Sequence, residues 1–166
     1  LVNNGTVLWQ STNDLLGGSS TLTNNGLFEA QANSRWVYNT GNRPLFVNNG
    51  TLRAADGVTL TNLSFALVNN AGTLDAGAGG AITYGGGANV FNAGTKFTGA
   101  GQNIVAGDAR FVDAYTSANL VLQSGIFNGG DGITPGSKAL AQGATTWTGG
   151  QFRGAWELSA GHTLTA

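Results

Sequence analysis

Eight carboxylates, seven basic side chains and one histidine are all that this chain offers for acid–base chemistry. The carboxylates are Asp14, Glu29, Asp56, Asp75, Asp108, Asp113, Asp131 and Glu157, and they are dispersed along the sequence. Asp108 and Asp113 are the closest pair, with Arg110 between them. Glycoside hydrolysis needs two carboxyls at a defined separation across the scissile bond, and this spacing sets none. The pair therefore reads as repeat-variable surface charge. His162 sits in a Gly-Thr strand end and reads the same way. There is no cysteine, which removes disulfides, thiolate nucleophiles and Cys-ligated metals. Gly129-Gly130-Asp131-Gly132 shares part of the calcium-binding nonapeptide, but the aspartate is misplaced and no tandem copy follows, so it reads as a turn. Lys96 and Lys138 lack the glycine spacing of a phosphate loop. No catalytic residue, metal ligand or cofactor is expected.

The aromatic side chains are the strongest binding candidates. Trp147 and Trp156, with Phe152 and Arg153 between them, form one group, and Trp36 with Tyr38, bracketed by Arg35 and Arg43, forms another. Such groups stack on sugars when exposed and fill the core when buried. The exposure of the tryptophans separates the two readings. Asn4-Gly5-Thr6, Asn49-Gly50-Thr51 and Asn62-Leu63-Ser64 match the glycosylation sequon, as a chain rich in these residues does by composition alone.

The elements that must position these residues are visible in the composition first. Of 166 residues, 28 are glycine, only 9% are charged, and the formal net charge is −1. Nucleic acid and anionic membrane surfaces are disfavoured as partners of so neutral a chain. A hydrophobic share of 41% argues against disorder. No apolar run approaches the length of about 18 residues that a membrane span needs, so no membrane insertion is expected. The chain opens at Leu1, holds no methionine and lacks a signal-peptide pattern. It reads as an excised or mature segment of a longer protein.

A repeat explains the glycines. Asn3-Asn4-Gly5, Asn24-Asn25-Gly26 and Asn48-Asn49-Gly50 are followed by Asn70-Ala71-Gly72 and Asn92-Ala93-Gly94, at glycine spacings of 21, 24, 22 and 22. Four places before each glycine stand Leu1, Leu22, Phe46, Val68 and Val90; two places after the first four stand Val7, Phe28, Leu52 and Leu74. The alternation around them has the period of a half-buried strand. Second strands are predicted at Trp36 to Tyr38, Val58 to Leu60 and Ile82 to Tyr84, and no segment keeps a helical period. A coil of this length cannot bury its apolar face alone, whereas stacked coils can. The prediction is an all-β parallel β-solenoid with coils of about 22 residues, a single domain over residues 1–166. Hairpins in a β-sandwich are the competing fold, but they predict turns every 8–12 residues.

This register carries specific expectations. Asn3, Asn24, Asn48, Asn70 and Asn92 should form one asparagine ladder, and glycine after asparagine fits the corners, where a positive φ is needed and a side chain would clash. Glu29, Arg53 and Asp75 should stack outward with alternating sign, worth about 0–1 kcal/mol per exposed pair. Roughly 7.5 coils give a rod about 36 Å long at the strand spacing. Beyond residue 95 the pattern degrades: Phe111 to Tyr115 reads as a coil start with Asp113 in the asparagine position. Ile126 to Gly130 then follows early, and residues 131–142 read as a loop excursion.

With these motifs in hand, the chain resembles the β-helical passenger and stalk repeats of large secreted bacterial surface proteins, the autotransporter and filamentous-haemagglutinin-like adhesins. Leu1-Val2-Asn3-Asn4-Gly5-Thr6-Val7, Phe46-Val47-Asn48-Asn49-Gly50-Thr51-Leu52 and Ala71-Gly72-Thr73-Leu74-Asp75-Ala76 carry the likeness, together with Thr146 to Phe152 and Leu158 to Thr165. The resemblance implies extracellular or cell-surface display, with adhesion or spacing as the work and no catalytic residue. The partners it leads us to expect are host or environmental glycans or proteins and neighbouring repeats of a parent chain. Both ends read as cut mid-repeat, so end-to-end self-association through uncapped coils is a further expectation. The alternative is a carbohydrate-binding module using the aromatics. Ice or crystal binding through Thr59, Thr61, Thr163 and Thr165 ranks lower, and a polysaccharide-active enzyme last.

Overall fold

The computed structural model describes every residue except Leu63 and Gly87. Among the described residues there is no helix, and all strand pairing is parallel. The chain winds as a β-solenoid of about seven turns, with three short strands in each regular coil.

The first face is an eight-stranded sheet of Val2–Asn3, Thr21–Asn24, Leu45–Asn48, Ala66–Asn69, Asn89–Phe91, Ala109–Phe111, Ile126–Gly129 and Gln151–Gly154. The second face stacks Thr6–Trp9, Leu27–Ala30, Thr51–Ala54, Thr73–Ala76 and Lys96–Thr98. The third stacks Leu15–Gly17, Ser34–Tyr38, Thr59–Asn62, Ala81–Tyr84 and Gln102–Val105. The second and third faces merge in the continuous strand Asp113–Leu122, on which Ala139–Trp147 lies. Trp156–Leu158 and Thr163–Thr165 finish the stack on that strand.

Alternation places one side of each strand inside, because successive side chains point to opposite faces. Phe28, Leu52, Leu74 and Phe97 form one inward column, and Leu22, Phe46, Leu67, Asn89, Ala109 and Phe127 another. From Phe28 onward the apolar members are buried. Full burial of each such side chain contributes about 1.5–3 kcal/mol. The aromatic members interlock, with Phe28 edge-on to Trp36 at 5.7 Å and Phe97 edge-on to Tyr115 at 6.0 Å.

The first corner, between the first and second faces, is where the register departs from expectation. It holds two residues in each of the first three coils, three residues (70–72) in the fourth and four (92–95) in the fifth. Asn48 therefore pairs with Asn69, not Asn70, and Asn69 pairs with Phe91, not Asn92. The extra corner residue, Ala71, takes φ +56°. Phe111, not Asp113, continues this column, while Asp113 begins the fused strand with φ +62°.

The two reasons expected for the corner glycines separate. Gly94 takes φ +81°, whereas Gly26 and Gly50 are not in the positive-φ region. They are required because a Cβ at either would collide with the carbonyl of the glycine one coil earlier. Gly5 has nothing within 4 Å of that position.

Along the first face, successive coils span 21, 24, 21, 22, 20, 18 and 25 residues. The short coil is real: two residues (118–119) replace the five-residue turn 98–102 between paired positions. The expected excursion ends at Lys138, since 139–142 rejoin the sheet against 113–116.

Candidate functional site

The single asparagine ladder expected from the sequence is two ladders. Asn3, Asn24, Asn48 and Asn69 project into the core and are at most 7% exposed. Each Nδ2 donates to the Oδ1 one coil onward, at 2.7 Å from Asn3 to Asn24, 2.8 Å from Asn24 to Asn48 and 2.6 Å from Asn48 to Asn69. The same Nδ2 groups reach the carbonyls of Leu27 at 2.9 Å, Thr51 at 2.9 Å and Thr73 at 3.3 Å. A buried amide satisfied in this way locks the corner, because leaving it unpaired would cost its full desolvation. Asn69 ends the series by donating to Thr95 Oγ1 at 2.8 Å.

The second ladder is exposed and comprises Asn4, Asn25, Asn49, Asn70 and Asn92. Its amides donate backwards, from Asn92 to Asn70 at 2.6 Å, Asn70 to Asn49 at 3.1 Å, Asn49 to Asn25 at 2.7 Å and Asn25 to Asn4 at 2.8 Å. Asn70 and Asn92 thus belong outside, displaced by the residues that lengthen the corner. The second asparagine of each Asn-Asn-Gly step is the sequence signal that would have revealed this ladder.

The outward charge stack forms as the repeat spacing requires. Arg53 lies 3.4 Å from both Glu29 and Asp75, and Thr98 adds a hydroxyl donor to Asp75 at 3.0 Å. One coil edge away, Arg35 grips Asp14 through two bonds of 2.9 and 2.7 Å. That hydrogen bond, followed by the charge of Asp14, raises the pKa of the Arg35 guanidinium.

The aromatic candidates separate by burial. Trp36 is 1% exposed and packs against Phe28, Phe46 and Phe65, so it belongs to the core and presents no platform to a ligand. Tyr38, two residues on, is 39% exposed and its hydroxyl donates to the Gly41 carbonyl. Trp147, Phe152 and Trp156 are half-buried at the C-terminal end of the stack. Phe152 meets Trp147 at 5.4 Å and Trp156 at 4.9 Å, both edge-on, and Trp156 Nε1 donates to the Arg153 carbonyl at 2.9 Å. Arg153 points to solvent. Phe152 and Trp156 line an apolar cavity of 190 Å³ with Tyr115, Leu122, His162 and Leu164. Burial lowers the His162 pKa, against a smaller raising contribution from the Gln142 backbone.

The Asp131 turn is closed by its own backbone. Its carboxylate accepts from the Ile133 and Thr134 amides, both at 2.8 Å, and from the Thr134 hydroxyl at 2.6 Å. These donors hold it well below the usual carboxylate range. Asp108 is likewise occupied, accepting the Ile126 amide at 2.8 Å. Among the described residues, no group of three His, Asp or Glu side chains is placed to hold a metal ion. Of the sequon asparagines, Asn4 and Asn49 are exposed and Asn62 is buried; Leu63 of the third sequon lies outside the described residues.

One buried polar network was not read from the sequence. Tyr84 donates to Asn103 at 2.8 Å, Asn103 to Asn119 at 2.9 Å, and Asn119 to the Thr98 and Gly101 carbonyls at 2.8 and 2.9 Å. These residues come from three successive coils and share no motif. Comparison with protein-family models, with curated proteins and with solved structures returned no match.

Proposed function

We propose that the chain is a rigid structural segment of an extracellular bacterial surface protein, extending and displaying what lies beyond it and offering its flanks for adhesion. The observation that supports this is the continuous hydrogen-bonded stack, in which coil follows coil through about seven turns with side-chain ladders locking the corners. Polar side chains that elsewhere serve chemistry are here consumed by the scaffold: Asp131 closes a turn, Asp108 caps a strand, and Glu29, Arg53 and Asp75 pair along the axis. We therefore read the protein as a non-enzyme. Its partners would be glycans or proteins of a host or environmental surface, met on the outward faces.

Single-molecule stretching tests the spacer reading. Extension one coil at a time supports it; collapse in one step at low force overturns it. Adhesion is read separately on a glycan and matrix-protein array. Binding that survives Tyr38→Ala but is lost when the Glu29–Arg53–Asp75 stack is neutralised would place the contact on the second face.

A further inference from the structure

The exposed ladder carries a reaction within its own sequence. Where asparagine precedes glycine, the glycine backbone nitrogen can attack the asparagine Cγ, since no side chain shields it. The chain has four such steps, Asn4-Gly5, Asn25-Gly26, Asn49-Gly50 and Asn128-Gly129. The fold treats them unequally. The Gly5 amide donates to Asn3 Oδ1 at 3.0 Å, and the Gly50 amide donates to the Asn24 carbonyl at 3.0 Å. Gly129 is buried in a strand held by a neighbour on each side. At Gly26 the equivalent carbonyl, that of Asn3, takes the Asn25 amide at 2.8 Å, and the Gly26 amide donates to no described residue. Asn25 itself is exposed. Its side-chain bonds to Asn4 and Asn49 do not set it apart, because Asn49 is held in the same way by Asn25 and Asn70. The state of the attacking nitrogen is the difference between two otherwise matched steps one coil apart.

We propose that Asn25-Gly26 is a spontaneous modification site, at which the folded protein deamidates ahead of its other Asn-Gly steps. The Gly26 nitrogen gives up its proton to solvent and bonds to Asn25 Cγ; the Cγ–Nδ2 bond breaks, and Nδ2 takes up a proton and leaves as ammonia. Water then adds to the five-membered imide and opens it at one of its two carbonyls, giving aspartate or isoaspartate with no change of oxidation state. The aspartate keeps the acceptor that Asn49 Nδ2 uses at 2.7 Å and loses the donation to Asn4 at 2.8 Å. The isoaspartate inserts a methylene into the main chain of a two-residue corner, where Gly26 already lies so close to the Gly5 carbonyl that a Cβ would collide with it. Either product adds one negative charge to a chain of formal net charge −1. The aged molecule therefore carries a mark in its second coil, and the isoaspartyl form loosens the contact between the first two coils. The inference is independent of whether the solenoid serves display or adhesion.

The test is to hold the folded protein in mildly alkaline buffer, digest samples at intervals in heavy-oxygen water so that conversions during work-up are marked, and map each Asn-Gly peptide by mass spectrometry. Conversion at Asn25 is expected to run several-fold ahead of Asn49, whose glycine nitrogen must first break a hydrogen bond, and ahead of Asn128 as well. In denaturant the steps should convert at similar rates, because the fold no longer distinguishes them. Asn25→Gln keeps an amide in the ladder but would need a six-membered ring, so it should remove most of the acidic species that ion exchange resolves in the aged wild type. Native-state conversion at Asn49 or Asn128 as fast as at Asn25, or acidic species accumulating at the wild-type rate in the Asn25→Gln protein, would each overturn the proposal.

Discussion

One inward column of the solenoid changes chemistry halfway along its length. Asn3, Asn24, Asn48 and Asn69 occupy it first, then Phe91 and Phe111, then Gly129 and Gly154. The backbone path is shared, so the comparison isolates how a corner is held. In the asparagine half, a two-residue corner leaves carbonyls that only a buried amide can reach, and each amide is fixed by two partners. In the aromatic half, the four-residue corner carries Thr95 inward to satisfy those groups, which frees the column for a ring. Phe91 then meets Phe111 at 4.9 Å and Phe97 at 5.0 Å. Directional bonds fix the register; rings tolerate adjustment. Consistent with this, the three extra residues of the 24-residue N-terminal coil leave at a distant turn, 39–44, while the 18- and 25-residue coils both fall in the aromatic half.

The largest test of the contrast is Phe91→Ala, which empties the junction between the two halves. It should cost about 3–5 kcal/mol in denaturant unfolding, and hydrogen exchange should show the C-terminal coils opening first. Asn48→Ala should follow at about 2–4 kcal/mol, because it orphans the Asn69 Oδ1 and the Thr73 carbonyl in the core. Equal protection of both halves in either variant would show that the stack melts as one unit. Alkali separates the halves without mutation. The inner ladder has no titrating group, whereas Tyr84, packed against Phe91 at the junction, and Tyr115, in the aromatic half, are buried, with Tyr84 raised well above 10 and Tyr115 pushed up to about 12. A raised tyrosine pKa means the folded state prefers the neutral phenol. Its contribution is complete below pH 10 and is lost as pH rises through 12, by about 3 kcal/mol for Tyr115 alone. Tyrosinate absorbance should therefore rise together with loss of the C-terminal coils. The smallest effect tests the glycine corners. Gly50→Ala, driven against the Gly26 carbonyl, should destabilise by about 1–3 kcal/mol. Gly5→Ala, with open space around it, should change stability by less than about 1 kcal/mol. Matching losses at both would refute steric stacking as the reason for glycine.

The fold was legible because its signal repeats. Five glycine steps at near-constant spacing, with apolar residues at fixed offsets, leave few alternatives to stacked coils, and the Glu29–Arg53–Asp75 stack followed from the same register. What stayed hidden lies where one residue was inserted. The Asn69-Asn70-Ala71-Gly72 step aligns equally well by its glycine or by its first asparagine, and only the burial of Asn69 decides. The glycine alignment put Asn70 and Asn92 in one ladder with Asn3, Asn24 and Asn48, when corner length moves them to the outer one. Trp36 illustrates a second limit. Strand alternation puts Trp36 and Tyr38 on one side, yet Trp36 is core while Tyr38, the last residue of its strand, turns out to solvent where the chain enters the 39–44 turn. The Tyr84–Asn103–Asn119 network was invisible for another reason: its members meet across coils of unequal length.

Two amide columns pointing opposite ways side by side have an electrostatic consequence. A single column of aligned side-chain dipoles would add one increment of field per coil and concentrate opposite partial charges at the two ends, as a helix does. Here each forward-pointing amide has a backward-pointing neighbour, so over the coils that carry both columns the increments largely cancel. Lengthening such a stack adds no growing end charge, and its stability scales with the number of coils without an electrostatic ceiling.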